Sequence, residues 1–135
     1  MQSLVSLGMQ PLYHPINDIL VGNKKISGNA QTRRKGVLLQ HGTILYTVDV
    51  AKMFSLLKVD DIKIKDKLIN DVRERVTSVV QQNPAITKQQ LYDALLQGFT
   101  RGKQWAFGYL TASERARAEV LRKERYQDVK WTGQR

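Results

Sequence analysis

The dipeptide Gly22-Asn23 constrains the fold of this chain more than any other feature. It separates two short runs, Ile16 to Val21 and Lys24 to Gly28, and Gly-Asn is typical of the tight loop that joins two antiparallel strands. In the expected register, Val21 pairs with Lys24, Leu20 with Lys25, Ile19 with Ile26 and Asp18 with Ser27. The sequence therefore predicts a β-hairpin of defined register near the start of the chain.

The predicted register gives the hairpin two different faces, because directly opposed residues lie on the same face of a sheet. The apolar face carries Ile19, Val21 and Ile26. The opposite face carries a carboxylate, an ammonium and a hydroxyl beside Leu20, and these come from Asp18, Lys25 and Ser27. The first face predicts packing on a core, and the second predicts a functional site.

A further strand is expected from Val37 to Tyr46. Both of its alternating faces are largely apolar, which predicts a central strand covered on both sides. His41 and Thr43 share one face, and Gly42 between them leaves room for a close approach by a backbone or a ligand. The segment that joins the hairpin to this strand, Asn29 to Gly36, is predicted to be a basic polar loop.

Each of these polar residues also has a purely structural explanation. A single histidine among apolar residues is more often a hydrogen-bonded core residue than a catalyst. Asp18 and Lys25 could form a cross-strand ion pair of small energetic weight. The basic residues 33–35 could be a solvated loop. Their clustering within one supersecondary unit favours a functional site.

Three motifs in this region resemble the middle of the lipoate-protein ligase family: Asn17-Asp18, Lys25-Ile-Ser-Gly and Gln40-His-Gly-Thr. That family belongs to a wider group of biotin ligases, lipoate ligases and octanoyltransferases. The resemblance continues at residues 73–76, 86–99 and 126–133, so it covers nearly the whole chain. It implies an α+β fold, half of a biotin/lipoate-ligase-like catalytic domain with an antiparallel hairpin and central strands packed against helices.

The resemblance also implies an activity and the residues that perform it. Lipoate and ATP, with Mg²⁺, form lipoyl-AMP, and the lipoyl group then passes to a lysine of an acceptor lipoyl-domain protein. Lys25 matches the catalytic lysine of the family, and Asp18 matches a residue implicated around metal and phosphate. The residues expected around the substrate and adenylate are Asn17, Asp18, Ser27, Gly28, Arg34, His41 and Thr43.

The sequence departs from the family upstream of these motifs. Family members carry there an Arg-Arg pair followed by a glycine-rich run, and residues 1–16 contain neither. The chain therefore resembles the second half of a catalytic domain, either an expressed fragment or a natural subunit. Its start resembles the end of a helix with an initiating methionine, which favours a subunit. The expected partner is a separate N-terminal half that carries the glycine-rich pocket.

Composition agrees with a protein that binds anionic partners. The net charge is +10 and the pI is about 10.0, which suits ATP, lipoate and an acidic acceptor, but also nucleic acid. The chain has no cysteine, so its own residues form no disulfide and supply no thiol, which argues against octanoyltransferases that work through a thioester. The sequence has no membrane-spanning run and no signal-like start, and we expect a cytoplasmic protein.

The length predicts one domain over residues 1–135, strand-rich in 1–48 and mainly helical in 49–135. Helices are expected over Val50 to Leu57 and Lys63 to Val80, and Asn83-Pro84 then breaks the chain. A short aromatic strand is expected at Gln104 to Tyr109.

Two capping boxes predict where the later helices begin. Thr87 with Gln90 begins a helix that should end near Gly98, because glycine commonly follows a helix. Thr111 with Glu114 begins a last helix that should run to about residue 126.

The sequence alone leaves other functions open. A biotin ligase half would share a Lys-x-x-Gly hairpin, an octanoyltransferase-like half belongs to the same wider group, and a non-catalytic remnant could scaffold a partner. A basic nucleic-acid-binding module is disfavoured, because no aromatic residue lies within Lys24 to Gly36 to stack on bases.

Overall fold

A computed structural model describes residues 1–56 and 62–133 and divides the chain into two compact units, Met1–Gly102 and Lys103–Arg135. The first unit combines a four-stranded antiparallel sheet with helices, and the second unit is helical where it has regular structure. The predicted α+β fold is confirmed. A single domain over residues 1–135 stays a prediction.

The sheet has the strand order β1-β2-β3-β4. Its strands are β1 (Pro11–His14), β2 (Asp18–Val21), β3 (Lys24–Arg34) and β4 (Val37–Ile44). The predicted hairpin joins β2 to β3 through Gly22-Asn23, and both of these residues have positive φ, 57° and 60°. Such a tight turn requires this backbone conformation, and glycine and asparagine adopt it most readily.

The hairpin register agrees with the prediction at the turn and differs beyond it. Val21 pairs with Lys24 and Leu20 pairs with Lys25, as expected. The register then shifts, so that Ile19 opposes Ser27 instead of Ile26, and Asp18 opposes Gly28 instead of Ser27. Ile26 is therefore the extra residue of a β-bulge. Its side chain is completely buried in the core, which stabilises the shifted register.

Strands β3 and β4 differ from the prediction. Asn29 to Gly36 is not a loop, because β3 continues to Arg34 and only Lys35-Gly36 turns, with φ of 50° and 75°. Pairing with β4 satisfies the backbone groups of these polar residues, which overrides their weak strand propensity. β4 is the last strand of the described sheet and is exposed from Val37 to Thr43, so the predicted cover on both faces is absent from the described residues.

The described helices are α1 (Gln2–Ser6), α2 (Val50–Ser55), α3 (Ile62–Arg75), α4 (Val79–Gln82), α5 (Lys88–Thr100), α6 (Ala112–Leu121) and α7 (Val129–Thr132), with a π-helical turn at Arg122–Tyr126. Both predicted capping boxes are present, at the starts of α5 and α6. The predicted end of α2, Leu57, lies outside the described residues.

Two predicted helices differ in extent from the structure, and one predicted strand is absent. The helix predicted over residues 63–80 is interrupted at 76–78, where Val76 forms a parallel bridge with Lys25 and Thr77 N donates to Lys25 O at 2.9 Å. Gly98 does not end α5, which continues to Thr100. Residues 104–109 have no strand structure, because among the described residues no partner strand pairs with them.

The core of the first unit lies between one face of the sheet and the helices α1, α4 and α5. Ile26, Leu4 and Val79 are its most deeply buried apolar residues. Residues 79 and 80 also fix the end of β4, since Val79 N donates to Leu45 O at 2.8 Å and Val80 N donates to Tyr46 O at 3.0 Å. The apolar face predicted for the hairpin is the face that packs on this core.

Candidate functional site

A close ion pair lies on the sheet face opposite the core. Lys25 Nζ is 2.8 Å from Asp18 Oδ1, with the lysine side chain 43% exposed and the aspartate side chain 24% exposed. Asp18 Oδ1 is itself buried and receives no hydrogen bond of regular geometry from the described residues. Among the described residues, the lysine ammonium is the close charged partner of this oxygen, and the predicted meeting of residues 18 and 25 is confirmed.

Gly28 provides the space in which this ion pair forms. The bulge places Gly28 opposite Asp18. A Cβ atom on residue 28 would lie 3.2 Å from Lys25 Cε, 3.3 Å from Lys25 Nζ and 3.8 Å from Asp18 Oδ1. Those distances are at or inside van der Waals contact, so the lysine side chain passes directly over the glycine. The Lys-x-x-Gly spacing is thus explained by geometry, because a side chain at position 28 would displace the lysine.

Thr43 and His41 extend this face onto β4. Thr43 pairs with Gly28 and His41 pairs with Ala30, and residues two apart on a strand share a face. Both residues are exposed, so the expectation that they lie among buried apolar groups is wrong. The prediction that His41 and Thr43 share one face of the strand is confirmed.

Ser27 does not join the ion pair. Because of the bulge it opposes Ile19 and is only 2% exposed on the core side of the sheet. Its hydroxyl accepts a hydrogen bond from Asn29 Nδ2 at 3.2 Å. The single patch predicted for Asp18, Lys25 and Ser27 is therefore wrong at the serine.

Asn29, which none of the sequence motifs indicates, connects β2 and β3 in this region through hydrogen bonds to Asn17. Asn17 Nδ2 donates to Asn29 O at 2.7 Å, Asn29 Nδ2 donates to Asn17 O at 3.1 Å, and Asn29 N donates to Asn17 O at 2.9 Å. A Cβ on Gly42 would collide with Asn29 Oδ1 and approach Gly28 O to 2.9 Å. Glycine at position 42 therefore allows the close approach that the sequence predicts, here by an asparagine side chain.

Two basic residues of the motif region lie away from the ion pair. Lys24 Nζ donates to Arg73 O at 3.1 Å and so satisfies a carbonyl at the end of α3. Arg34 lies nine positions beyond Lys25 along β3, roughly 30 Å at the rise of an extended strand. The structure does not bring Arg34 together with the other predicted site residues, and its role in binding stays a prediction.

The core side of the sheet is open to two adjoining cavities. One has a volume of about 530 Å³ and is bordered by Ser27, Ile44 and Phe99, among others. The second, of about 740 Å³, lies towards Tyr13. Asn29 and Gln40 border both cavities, whereas Lys25 and Asp18 border neither. The polar site residues therefore lie on both faces of the sheet. Gly28 belongs to the face of the ion pair, and Asn29 belongs to the face of the cavities.

The ion-pair face can bind an anion. The Lys25 ammonium has three N–H donors, and Asp18 occupies only one of them, so the other two are available to an anion. Among the described residues no group of three or more His, Cys, Asp or Glu side chains could hold a metal ion. Mg²⁺ that accompanies a nucleotide commonly needs only one or two carboxylates besides the phosphates, and Asp18 fits that requirement as a single ligand.

In the described part of the chain, no helix has the length and apolar character needed to cross a membrane.

Sequence comparison identifies the family. The sequence model of the lipoyl protein ligase A/B catalytic domain matches residues 1–100. The chain belongs to this family. The match ends close to the end of the first compact unit at Gly102, and it contains the ion pair, Gly28 and both cavities.

Curated relatives of the lipoyl protein ligase A/B family include two enzyme types. Octanoyltransferase LipM of Brevibacillus brevis is 37% identical over 118 residues, which are 84% of this chain and 42% of the relative. The protein named "Probable lipoate-protein ligase A" of Mycoplasma genitalium is 34% identical over 128 residues, 95% of this chain and 38% of the relative. The chain thus spans less than half the length of either relative.

Solved structures of the same family match nearly the whole chain. A bi-partite lipoate protein ligase from Thermoplasma acidophilum has a TM-score of 0.86 at 30% identity, covering 96% of this chain and 52% of that chain. A lipoate-protein ligase A bound with ATP has a TM-score of 0.77 at 27% identity, covering 96% and 53%. This chain therefore corresponds to about half of each solved chain.

Proposed function

We propose that this chain is the half of a lipoate-protein ligase that carries the catalytic lysine. The observation that carries the proposal is the Lys25–Asp18 pair lying over Gly28, within the residues that the family model matches. The ligase among the curated relatives and the ATP-bound ligase among the solved structures support the same activity. The substrates are lipoate, ATP and a lysine of an acceptor lipoyl-domain protein.

Lys25 acts on the first step by electrostatics. When the lipoate carboxylate attacks the α-phosphate of ATP, lipoyl-AMP forms and pyrophosphate leaves, and negative charge concentrates where the new bond forms. A preorganised ammonium stabilises that charge. Asp18 holds the ammonium by the 2.8 Å ion pair, so the lysine needs little reorganisation as the reaction proceeds.

Asp18 is the residue that would hold Mg²⁺, which when bound neutralises part of the charge on the phosphates. Asn17 and Asn29 fix the strand segment that carries Gly28. In the second step the acceptor amine attacks the lipoyl carbonyl and AMP leaves, and Lys25 can stabilise the carbonyl oxygen in the same manner. His41 and Thr43 orient the substrate from the neighbouring strand.

The proposed activity requires a partner chain. With 43% of its side chain exposed, Lys25 faces solvent, where an ammonium is much less effective than in a site that excludes water. The relatives and the solved chains are about twice as long as this chain. A separate N-terminal half with the glycine-rich pocket would cover Lys25 and complete the nucleotide site, giving a cytoplasmic heterodimer.

The test compares two neighbouring lysines. Lys25→Ala should lower lipoyl-AMP formation by about 100- to 1,000-fold, as expected for the loss of a placed electrostatic group. Lys24→Ala is the matched control, because Lys24 caps α3 instead. Pyrophosphate release is measured with lipoate, ATP and both halves present. A near-normal rate for Lys25→Ala with intact partner binding would refute the role of this lysine.

Octanoyl transfer is a second candidate function, since relatives named Octanoyltransferase LipM are 34% and 37% identical to this chain. A ligase releases pyrophosphate from ATP when a free acid is present, whereas an acyltransferase moves its acyl group from a preformed donor. Lipoylation that depends on ATP favours the ligase. Acyl transfer to the acceptor domain without ATP would favour the second candidate.

A further inference from the structure

The Asp18 carboxylate occupies a position that its own hydrogen bonds do not fix. Asp18 is the first residue of β2 and directly follows the turn at residues 15–17. Residues at the ends of regular elements are the first to fray. Asp18 Oδ1 is buried beside Lys25 but receives no hydrogen bond of regular geometry from the described residues. The ion pair therefore depends on how the backbone around Asp18 is held.

Asn17 and Asn29 form a reciprocal clamp immediately beside this position. Asn29 N and Asn29 Nδ2 both donate to Asn17 O, at 2.9 and 3.1 Å, and Asn17 Nδ2 donates to Asn29 O at 2.7 Å. Each side-chain amide thus binds the backbone carbonyl of the other residue. The Asp18–Gly28 pair is the last regular pair of β2 and β3 at this end of the ladder, and the asparagine clamp adds one more pair beyond it. Asp18 is therefore held like a residue inside a strand.

Contacts with three segments of the chain fix the Asn29 side chain. Both hydrogens of its amide are used, since Nδ2 donates to Asn17 O and to Ser27 Oγ, the latter at 3.2 Å. Ser27 is only 2% exposed, so its hydroxyl is a well-packed partner. On β4, Gly42 lies against Asn29 Oδ1, because a Cβ atom there would collide with this oxygen. The amide therefore has one defined orientation, with its nitrogen towards Asn17 and its oxygen towards Gly42.

We infer that Asn29 is a positioning residue for the Lys25–Asp18 pair. The asparagine clamp fixes the start of β2, which places the Asp18 carboxylate, and the carboxylate holds the Lys25 ammonium at 2.8 Å. The Asn29 side chain lies on the cavity face of the sheet and the ion pair lies on the opposite face, so the backbone transmits the effect. The consequence for catalysis rests on the proposed function, whereas the placement of Asp18 does not.

Asn29→Asp tests the clamp with almost no change in shape. A carboxylate has no hydrogen to donate, so the side-chain bond to Asn17 O is replaced by repulsion between two oxygens. Gln31→Glu is the matched control, because residue 31 lies two positions along β3 on the same face and is exposed. Its side chain makes no hydrogen bond within the described residues. Both variants change an amide to a carboxylate, so a general effect of the added negative charge appears in both.

Kinetics of lipoyl-AMP formation, with the proposed N-terminal partner present, measure the catalytic effect. For Asn29→Asp, kcat should fall on the order of 10-fold or more, because a small misplacement of a group that stabilises the transition state lowers the rate. The KM values for lipoate and ATP should stay within a few-fold of the parent. Gln31→Glu should keep the parent kcat. The inference is overturned if the two variants have equal kcat, or if the loss for Asn29→Asp lies in KM alone.

NMR on the full chain without substrates measures the positioning itself. In Asn29→Asp the carboxylate carbon signal of Asp18 should shift, and the backbone amide of residue 29 should exchange on the order of 10-fold faster as its bond to Asn17 O frays. Gln31→Glu should leave both observables at their parent values. Asn29→Ala, which adds no charge, should move both in the same direction, and it carries the test if Asn29→Asp does not fold. An Asp18 signal that stays in place would overturn the inference.

The two proposals fail in different ways. A parent complex that forms no lipoyl-AMP refutes the proposed function, and the NMR comparison still decides whether Asn29 places Asp18. An active parent complex whose kcat is unaffected by Asn29→Asp refutes the positioning role and leaves the proposed function standing.

Discussion

At the scale of single residues, the candidate site depends on small groups placed where they allow a close contact. Gly28 lies under Lys25, and Gly42 lies under Asn29. Neither glycine has a positive φ, so each is explained by lack of space for a side chain and not by backbone conformation. The geometry of the lysine therefore depends on a residue that has no functional group.

Gly28→Ala tests that dependence. The new methyl group would meet Lys25 Cε and Nζ at 3.2 and 3.3 Å, and the flexible lysine can move away, so the fold should be retained. Displacement of a catalytic group by a fraction of an ångström reduces the rate, so under the proposed function kcat/KM for lipoyl-AMP formation should fall on the order of 10-fold. Unchanged kinetics would contradict the placement. Gly108→Ala is the control, since nothing lies within 4 Å of that position.

At the scale of the elements, side-chain caps and close helix contacts determine where the helices begin and how they pack. Thr87 with Gln90 and Thr111 with Glu114 form the two capping boxes. Gly98 lies inside α5, where glycine is intrinsically unfavourable. Its position against Ser3 of α1 accounts for it, because a Cβ there would collide with Ser3 Oγ.

Gly98→Ala should lower the free energy of unfolding by about 1 kcal/mol, as overpacking outweighs the gain in helix propensity. Ser3→Ala removes the colliding oxygen, so the double variant should recover most of the loss. Thermal unfolding of the two single variants and the double variant measures this coupling. Additive effects of the two substitutions would show that the residues do not interact.

The capping box of α6 should depend on pH, and that of α5 should not. The backbone and side-chain hydrogen bonds from Thr111 lower the pKa of Glu114 below its ordinary value of 4.5. Because the folded state lowers this pKa, the ionised Glu114 stabilises the folded state at pH values above 4.5. That stabilisation is lost as the pH falls through the lowered pKa of Glu114. Carboxylate titration by NMR should show the shift and its loss in Thr111→Ala. Gln90 does not titrate, so the start of α5 is the internal control.

At the scale of the whole molecule, many large apolar residues of the described chain remain in contact with solvent. Ile16, Val37 and Leu39 are 90%, 67% and 60% exposed in the first unit. The described residues of α6 in the second unit include none that is buried. Exposed apolar surface of this extent is typical of a protein that functions in association with another chain.

The isolated chain should self-associate and unfold at a low temperature, because no described residues cover the β4 edge or the open cavities. The proposed N-terminal partner should bind only the folded chain and so raise the free energy of unfolding by about 2.7 kcal/mol at a concentration 100-fold above its dissociation constant. Analytical ultracentrifugation and thermal unfolding with and without the partner measure both effects. A stable monomer whose unfolding the partner does not alter would count against the need for a second chain.

The sequence by itself determined the local features of this protein. Gly22-Asn23 defines a hairpin because few residues adopt the required positive φ, and the two capping boxes define helix starts because their hydrogen bonds are local. The motif residues Asp18 and Lys25 meet as predicted, since both lie within reach of that turn.

Only the tertiary structure decided the features that depend on distant residues. The bulge at Ile26 moves Ser27 to the core side, because residues 76 and 77 pair with Lys25 and the core accepts the isoleucine. β3 extends through polar residues because β4 pairs with them. α5 continues through Gly98, where the close approach of Ser3 leaves no room for a side chain. Pairing and packing energies of this kind depend on which segments meet in the fold, so a local reading of the residues could not reveal them.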